Sequence, residues 1–481
     1  LFLVAPQIGL ARSVHGLGLR RGAAMPRASM NFPAPVRLLL TLPALTACAT
    51  EPLPPPRPTP PALATTAEAR LAVQEGSRTS AIVVLRADNG DARTVAEAQR
   101  AVLAIAGPQA RLLRRYTLLP ALALAADRQV WARLDGHPLV HAIEPDRALE
   151  IPQEPVVALG GPGGNGASAA VAASAGAAWA LGLRGKGATI AIVDTGVQAQ
   201  HPDLQGQIVA QRCFAASGCP PFGAAQGDSA QDVNGHGTHV AAIAASRGKI
   251  GPPGIAPDAR LVAVRVLGND GKGKTSDLLA ALDWLAGQAK TWPLHAVNLS
   301  LGGTALHSGP CDKSEAALAL AVQLLGKKGV VTIAAAGNGG SNGALSSPGC
   351  LSQVISVGAT YAQAVPKAIY PKVCSDSAAA AGQLACFSNR NKHLSLVAPG
   401  APIRAASQPG SAVATLSGTS QATPVVSGVV ALLAPCWPSP SAASLVQWLR
   451  ATGIDTLDKT SGLSLRRVHA GQAAWACLPW G

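Results

Sequence analysis

Aromatic side chains account for only 3% of this 481-residue chain and charged ones for 13%. Nucleic-acid readers combine stacking rings with a concentrated basic face. Neither is here: no basic run exceeds two residues, as in Arg114-Arg115 or Lys327-Lys328. The net charge of +14 divides into +6 over residues 1–150, from 17 Arg against 11 acids, and +8 over the rest. No nucleic acid is therefore expected as a partner. C-x-x-C and H-E-x-x-H are also missing, and no group of Cys and His has ligand spacing, which removes the common zinc sites. The one long apolar stretch near the start, 38–47, is too short to span a bilayer. What is present is 48% apolar residue with 51 Gly, a composition that suits a buried parallel sheet covered by helices, in a chain too long for one core.

Arg27 and Arg37 precede the apolar stretch, so it reads as the core of a secretory signal within a leader of residues 1–47. Met25 or Met30 would start a better-proportioned signal, leaving 1–24 untranslated. Leu45-Thr46-Ala47-Cys48 resembles the lipobox of bacterial lipoproteins, which implies acylation of Cys48 and a lipid-anchored precursor at the cell envelope; an ordinary signal with an incidental Cys is the alternative. Residues 48–79 carry seven Pro between 52 and 61 and read as a semi-rigid spacer. Over 80–150 the pattern predicts a strand at 82–85, a helix at 94–105, an apolar segment at 112–124, a helix at 127–134 and a strand at 139–143, a small α+β domain. Residues 151–176, with Gly160-Gly161-Pro162-Gly163-Gly164, have linker composition.

From 177 to 481 apolar strands are expected at 189–193, 261–266, 296–300, 330–335 and 354–357, with helices at 237–245, 276–289 and 314–325. That alternation predicts a doubly wound, mostly parallel sheet flanked by helices, with its site at the carboxyl ends of the strands. Beyond Cys48 eight cysteines remain, an even number that suits disulfides in an exported chain, although eight permit 105 connectivities. Short loops close cheaply, which favours Cys213 with Cys219 and Cys374 with Cys386; Cys311 with Cys350 and Cys436 with Cys477 follow by elimination.

Three segments carry chemistry. Ile190-Ala191-Ile192-Val193 runs into Asp194-Thr195-Gly196, an acid leaving a buried strand. Aspartic proteases need two such motifs to share a proton, and no second one occurs. Asn234-Gly235-His236-Gly237-Thr238-His239-Val240 opens a helix of small residues, where His236 and His239 could alternatively hold a metal. Ser417-Gly418-Thr419-Ser420-Gln421-Ala422-Thr423-Pro424 leads into an apolar helix at 425–433, with Pro424 expected in its first turn, where a missing N–H is tolerated.

In the order Asp, His, Ser, these segments resemble the signatures of the subtilisin-like (subtilase) family, and the likeness runs from about 179 to 474. The α/β-hydrolases would place Ser first within G-x-S-x-G, whereas this chain has Gly-Thr-Ser-Gln-Ala. The resemblance implies a secreted serine endopeptidase acting on proteins or peptides, with Asp194, His236 and Ser420 as its triad and Asn338, in Ala334-Ala335-Ala336-Gly337-Asn338-Gly339, as oxyanion donor. Gly271, Lys272 and Gly273 look like one substrate edge, and Ser300, Leu301 and Gly302 like the other. Gln421 stands where the family often has Met.

By the same resemblance, residues 80–150 are expected to be a ferredoxin-like inhibitory prodomain, an intramolecular inhibitor removed by self-cleavage between about 145 and 175. Because Cys48 precedes it, that cut would free a monomeric enzyme from its anchor, into the periplasm or outside the cell. Residues 246–253, where many relatives have a calcium loop, contain two cations and Pro-Pro, so no calcium or other metal is expected there and the disulfides are expected to serve as staples instead. A catalytically silent fold used for surface binding, or an esterase with the same triad, are the rival readings.

Overall fold

The structure, a computed structural model, describes residues 78–152, 166–221, 223–410, 412–458 and 460–477. The leader, Cys48, the spacer up to residue 77 and residues 153–165 of the expected linker lie outside the described residues. Among those described, no helix is long and apolar enough to cross a membrane.

Residues 79–145 alternate β1 (Thr79–Leu85), α1 (Ala92–Ala106), β2 (Arg111–Arg115), β3 (Ala121–Ala126), α2 (Arg128–Leu134) and β4 (Val140–Pro145), and the strands form one antiparallel sheet in the order β2-β3-β1-β4. Asp91 and Asp127 start the helices by accepting the first free N–H groups, from Arg93 and Thr94 and from Gln129 and Val130. The apolar segment expected at 112–124 is two strands around a turn. Every residue of β3 is buried, which hides the alternation a half-exposed strand would show. Leu122 and Leu124 pack under α1 and α2 with Val102, Val130 and Leu134. Ala121 and Ala123 join a second core with Leu278, Leu282 and Leu318 of the larger domain.

The larger domain is built on nine strands. Its core strands are β6 (Thr189–Asp194), β7 (Ile208–Cys213), β8 (Arg260–Arg265), β10 (Leu294–Leu299), β11 (Val331–Ala335), β12 (Val354–Tyr361) and β13 (Leu396–Ala401), with β14 (Ile454–Leu457) and β15 (Ser464–Arg467) at the edge. The order is β14-β15-β13-β12-β11-β10-β6-β8-β7; every pairing is parallel except β14 with β15. A short strand β5 (Ala148–Glu150) pairs antiparallel with β9 (Lys272–Lys274). Helices α3 (His236–Ala245) and α6 (Thr419–Leu433) share one core with Ile190 and Ile355, and α4 (Thr275–Gln288) and α5 (Ala316–Lys327) share the other with Val193 and Val297. With both faces covered, β6 is buried along its length. Two core strands escaped the sequence reading for identifiable reasons: β7 carries Gln211 and Arg212, and β13 contains Pro399 and Gly400. Residues 166–176, read as the end of the linker, are ordered: Ala167 pairs in parallel with Ile403, and Ser168 caps a helix at Ala169–Ala172.

The four pairs Cys213–Cys219, Cys311–Cys350, Cys374–Cys386 and Cys436–Cys477 are all bonded. Among the described residues only His307, Cys311 and Cys350 converge as a metal site would, and both sulfurs are spent in a disulfide.

Candidate active site

Strand β6 delivers Asp194, fully buried, to the carboxyl edge of the sheet, and His236 is the first residue of α3. Asp194 Oδ1 lies 2.7 Å from His236 Nδ1 and also accepts the Thr195 N–H at 2.7 Å. This approach depends on Gly237: a Cβ there would stand 2.1 Å from the Gly196 carbonyl oxygen. His239, three residues on, is aimed elsewhere. It lies 3.3 Å from the Ala414 carbonyl, and complete burial pulls its pKa down to about 3, with His236 adding to the effect. The two histidines therefore do not form a metal pair.

A second buried acid, Asp232, holds the Asp and His segments together and was not singled out from the sequence. Its Oδ1 accepts from Thr195 Oγ1, Asn234 N and Gly235 N at 2.9–3.0 Å, and its Oδ2 from Thr238 N and Thr238 Oγ1 at 3.0 and 2.5 Å. Thr195 Oγ1 accepts in turn from Gly237 N at 3.0 Å. The only signal for it was an acid four residues before the histidine in a turn-forming run.

Helix α6 packs against α3 and carries Ser420 as its second residue, with extended Gly418 as its cap. Pro424 corrects the sequence expectation: α6 starts at Thr419, so proline sits in the second turn, where its missing N–H deprives the Ser420 carbonyl of its helical bond. Ser300 Oγ supplies that bond at 2.7 Å. Asn298 Nδ2 donates to Ser300 Oγ, and Ser427 Oγ to Asn298 Oδ1, each at 2.9 Å, so a buried chain of hydroxyl and amide fixes the backbone at Ser420. The Ser420 hydroxyl itself donates to the Ser300 carbonyl at 3.2 Å. Gln421 is fully buried behind it.

Asn338 follows β11, and Thr419 sets its orientation: the Thr419 N–H and hydroxyl both donate to Asn338 Oδ1, at 2.9 and 2.8 Å. The Nδ2 group is thereby turned toward the start of α6, 3.0 Å from where a Cβ on Gly418 would stand. It donates to the Pro152 carbonyl at 3.3 Å.

The two expected substrate edges face one another across β5. On one side Glu150 pairs with Lys272, and the Ile151 N–H donates to Gly271 O at 3.0 Å. On the other, Glu150 and Gly302 exchange both backbone bonds at 3.0 Å. Lys272 contributes backbone while its side chain is exposed, and Leu301 turns into the core, so neither lines the cleft with a side chain in the way its neighbours' backbones do. Gly273 must lack a side chain, since a Cβ would lie 2.5 Å from the Val266 carbonyl.

Residues 185–470 match the Subtilase family. M-protease of Shouchella clausii is 33% identical over 346 residues, 71% of this chain and 77% of that protein. Subtilisin BL of Lederbergia lenta is 36% identical over 277 residues, 57% of this chain and 87% of the relative, and Thermitase of Thermoactinomyces vulgaris is 38% identical over 287 residues, 59% and 86%.

Proposed function

The chain belongs to the subtilase family and is a serine endopeptidase; from that premise we propose that Asp194, His236 and Ser420 perform its chemistry and that it is made as an exported, self-processing zymogen. The observation that carries the triad is the buried 2.7 Å contact between Asp194 and His236 at the start of a helix packed against the one that bears Ser420. Asp194 accepts the Nδ1–H of His236, which leaves Nε2 as the basic nitrogen. That nitrogen takes the Ser420 proton as Oγ attacks a peptide carbonyl and returns it to the departing amine. The Asn338 amide and the Ser420 backbone N–H receive the oxyanion. Water then cleaves the acyl-enzyme.

Residues 79–150 are the inhibitory prodomain in this reading. The support is that the segment closing the domain lies as a third strand between the two substrate edges, as a bound peptide would. Four disulfides suit an oxidising, extracytoplasmic compartment. Acylated Cys48 would hold the precursor at the membrane until the cut releases the enzyme.

No calcium is proposed at residues 246–253. Both carboxylate oxygens of buried Asp203 are turned to backbone donors, Ile250 N at 2.7 Å and Gly251 N at 2.8 Å, and Arg247 donates to Gln205 O beside them.

Mass spectrometry of wild type beside Ser420→Ala tests the rest. Wild type should lose its prodomain and label with a fluorophosphonate, and the variant should do neither. A wild-type chain that folds, resists the label and hydrolyses no peptide would instead be a silent binding fold, and ester turnover without peptide turnover an esterase.

A further inference from the structure

The strand in the cleft has a defined register, and the register singles out one bond. Beyond its ladder with β9, three backbone bonds hold its end: Glu150 N to Gly302 O, Gly302 N to Glu150 O and Ile151 N to Gly271 O, all at 3.0 Å. Leu149, opposite Gly273, is 2% exposed and packs into the core that contains Val266, Leu267 and Leu301. Pro152 comes next, and its carbonyl oxygen is the one that meets Asn338 Nδ2, at 3.3 Å.

We propose that the peptide bond following Pro152 is the one this enzyme cuts in itself, with Leu149 as the side chain that sets the register. This rests on the self-processing reading above and names its site. Two physical arguments exclude neighbouring bonds. Side chains along a strand alternate in direction, so a slip of one residue would put Ala148 or Glu150 into the buried place that Leu149 fills. A slip would also bring Pro152 to the place of Ile151 or Glu150, each of which donates an N–H to the cleft wall, and proline has none.

The step balances with water as co-reactant. Ser420 Oγ bonds to the Pro152 carbonyl carbon while His236 removes the hydroxyl proton; the bond from that carbon to the nitrogen of Gln153 breaks, and the nitrogen takes the proton. Water then hydrolyses the prolyl ester, giving a Pro152 carboxylate and restoring Ser420. The carboxylate product keeps the same strand bonds, so the cut prodomain stays as an inhibitor.

The test uses the full chain, as wild type, Ser420→Ala, Leu149→Asp and Pro152→Ala, with intact mass and N-terminal sequencing over a time course. Wild type should yield a mature form beginning at Gln153, and Ser420→Ala should stay whole. Leu149→Asp should slow the cut about tenfold or more, the scale for losing one well-filled apolar pocket. Pro152→Ala, which leaves that pocket filled, should give the same mature mass. A Ser420-dependent cut at any other bond overturns this assignment and leaves self-processing intact. A wild-type chain that labels at Ser420 yet stays whole overturns self-processing itself, and a cut at Gln153 that persists in Ser420→Ala assigns the bond to another protease.

Discussion

The carboxylates around the proposed triad and those where the two domains meet are used differently. Asp194 and Asp232 take their side-chain bonds from within the larger domain, from the turn after β6 and the first residues of α3 with the turn before it. Across the domain boundary each acid serves the other side. Glu144 accepts from Ala316 N and Ala317 N at the start of α5, and Asp146 from Ser276 N and Oγ at the start of α4. In return Asp283 accepts from Thr117, Leu118 and Leu119 N–H groups at 2.7 Å, and Asp277 from Arg114 at 2.5 and 3.1 Å. Helix starts and loop amides that water can hydrate equally well make a joint that opens without leaving orphaned donors. The site has no such substitute. One set of acids holds the proposed centre together, and the other joins it to the domain proposed to be released.

Four changes probe this contrast, the largest first. Ser420→Ala should lower kcat by about 10⁶-fold, the loss seen when a triad serine is removed, with the thermal midpoint kept; retained peptide turnover would move the nucleophile elsewhere. Asn338→Ala should cost about 100- to 1,000-fold in kcat with KM little changed. An equal rise in KM would mean that the amide only binds the ground state. Asp232→Ala strips acceptors from five donors and should destabilise the larger domain by about 3 kcal/mol, measured by urea unfolding. A change below about 0.5 kcal/mol would mean that water replaces the carboxylate at no cost.

The smallest effect concerns the cover. Burial raises Glu144 to about 8, against the opposing pull of the Ala317 and Ala316 N–H groups and with Glu315 nearby adding to the rise; burial likewise raises Glu315 to about 7, opposed by Arg147. The docked state thus holds more protons than separated domains between the ordinary glutamate range and about pH 8. Docking is strongest at acid pH and weakens as pH rises through that window. The affinity of the cut prodomain, followed by size-exclusion at stepped pH, should fall by about an order of magnitude, since the two N–H groups offset part of the burial. Glu144→Gln should flatten the profile, and a grip that tightens with pH would reverse the assignment.

The chemistry-bearing segments were legible because each is a local pattern: an acid leaving an apolar strand, a histidine among small residues, a serine between Gly418 and an apolar helix. The strands and helices that carry them were legible for the same reason. Strand β13 was not, because Pro399 and Gly400 break its pattern while its neighbours hold it in the sheet. Nor was the second-turn position of Pro424, where Ser300, 120 residues before Ser420, supplies the Ser420 carbonyl with the bond that proline removes.

By itself, then, the sequence determined which residues are proposed for the chemistry and most of the elements on which they ride, since periodicity and turn chemistry act over a few positions. The tertiary structure alone decided what they meet: Asp232 beneath two loops, Glu144 on a helix 172 residues away, and Pro152 with its carbonyl on Asn338. Those pairings depend on the register and packing of segments far apart in the chain, and no local pattern encodes that distance.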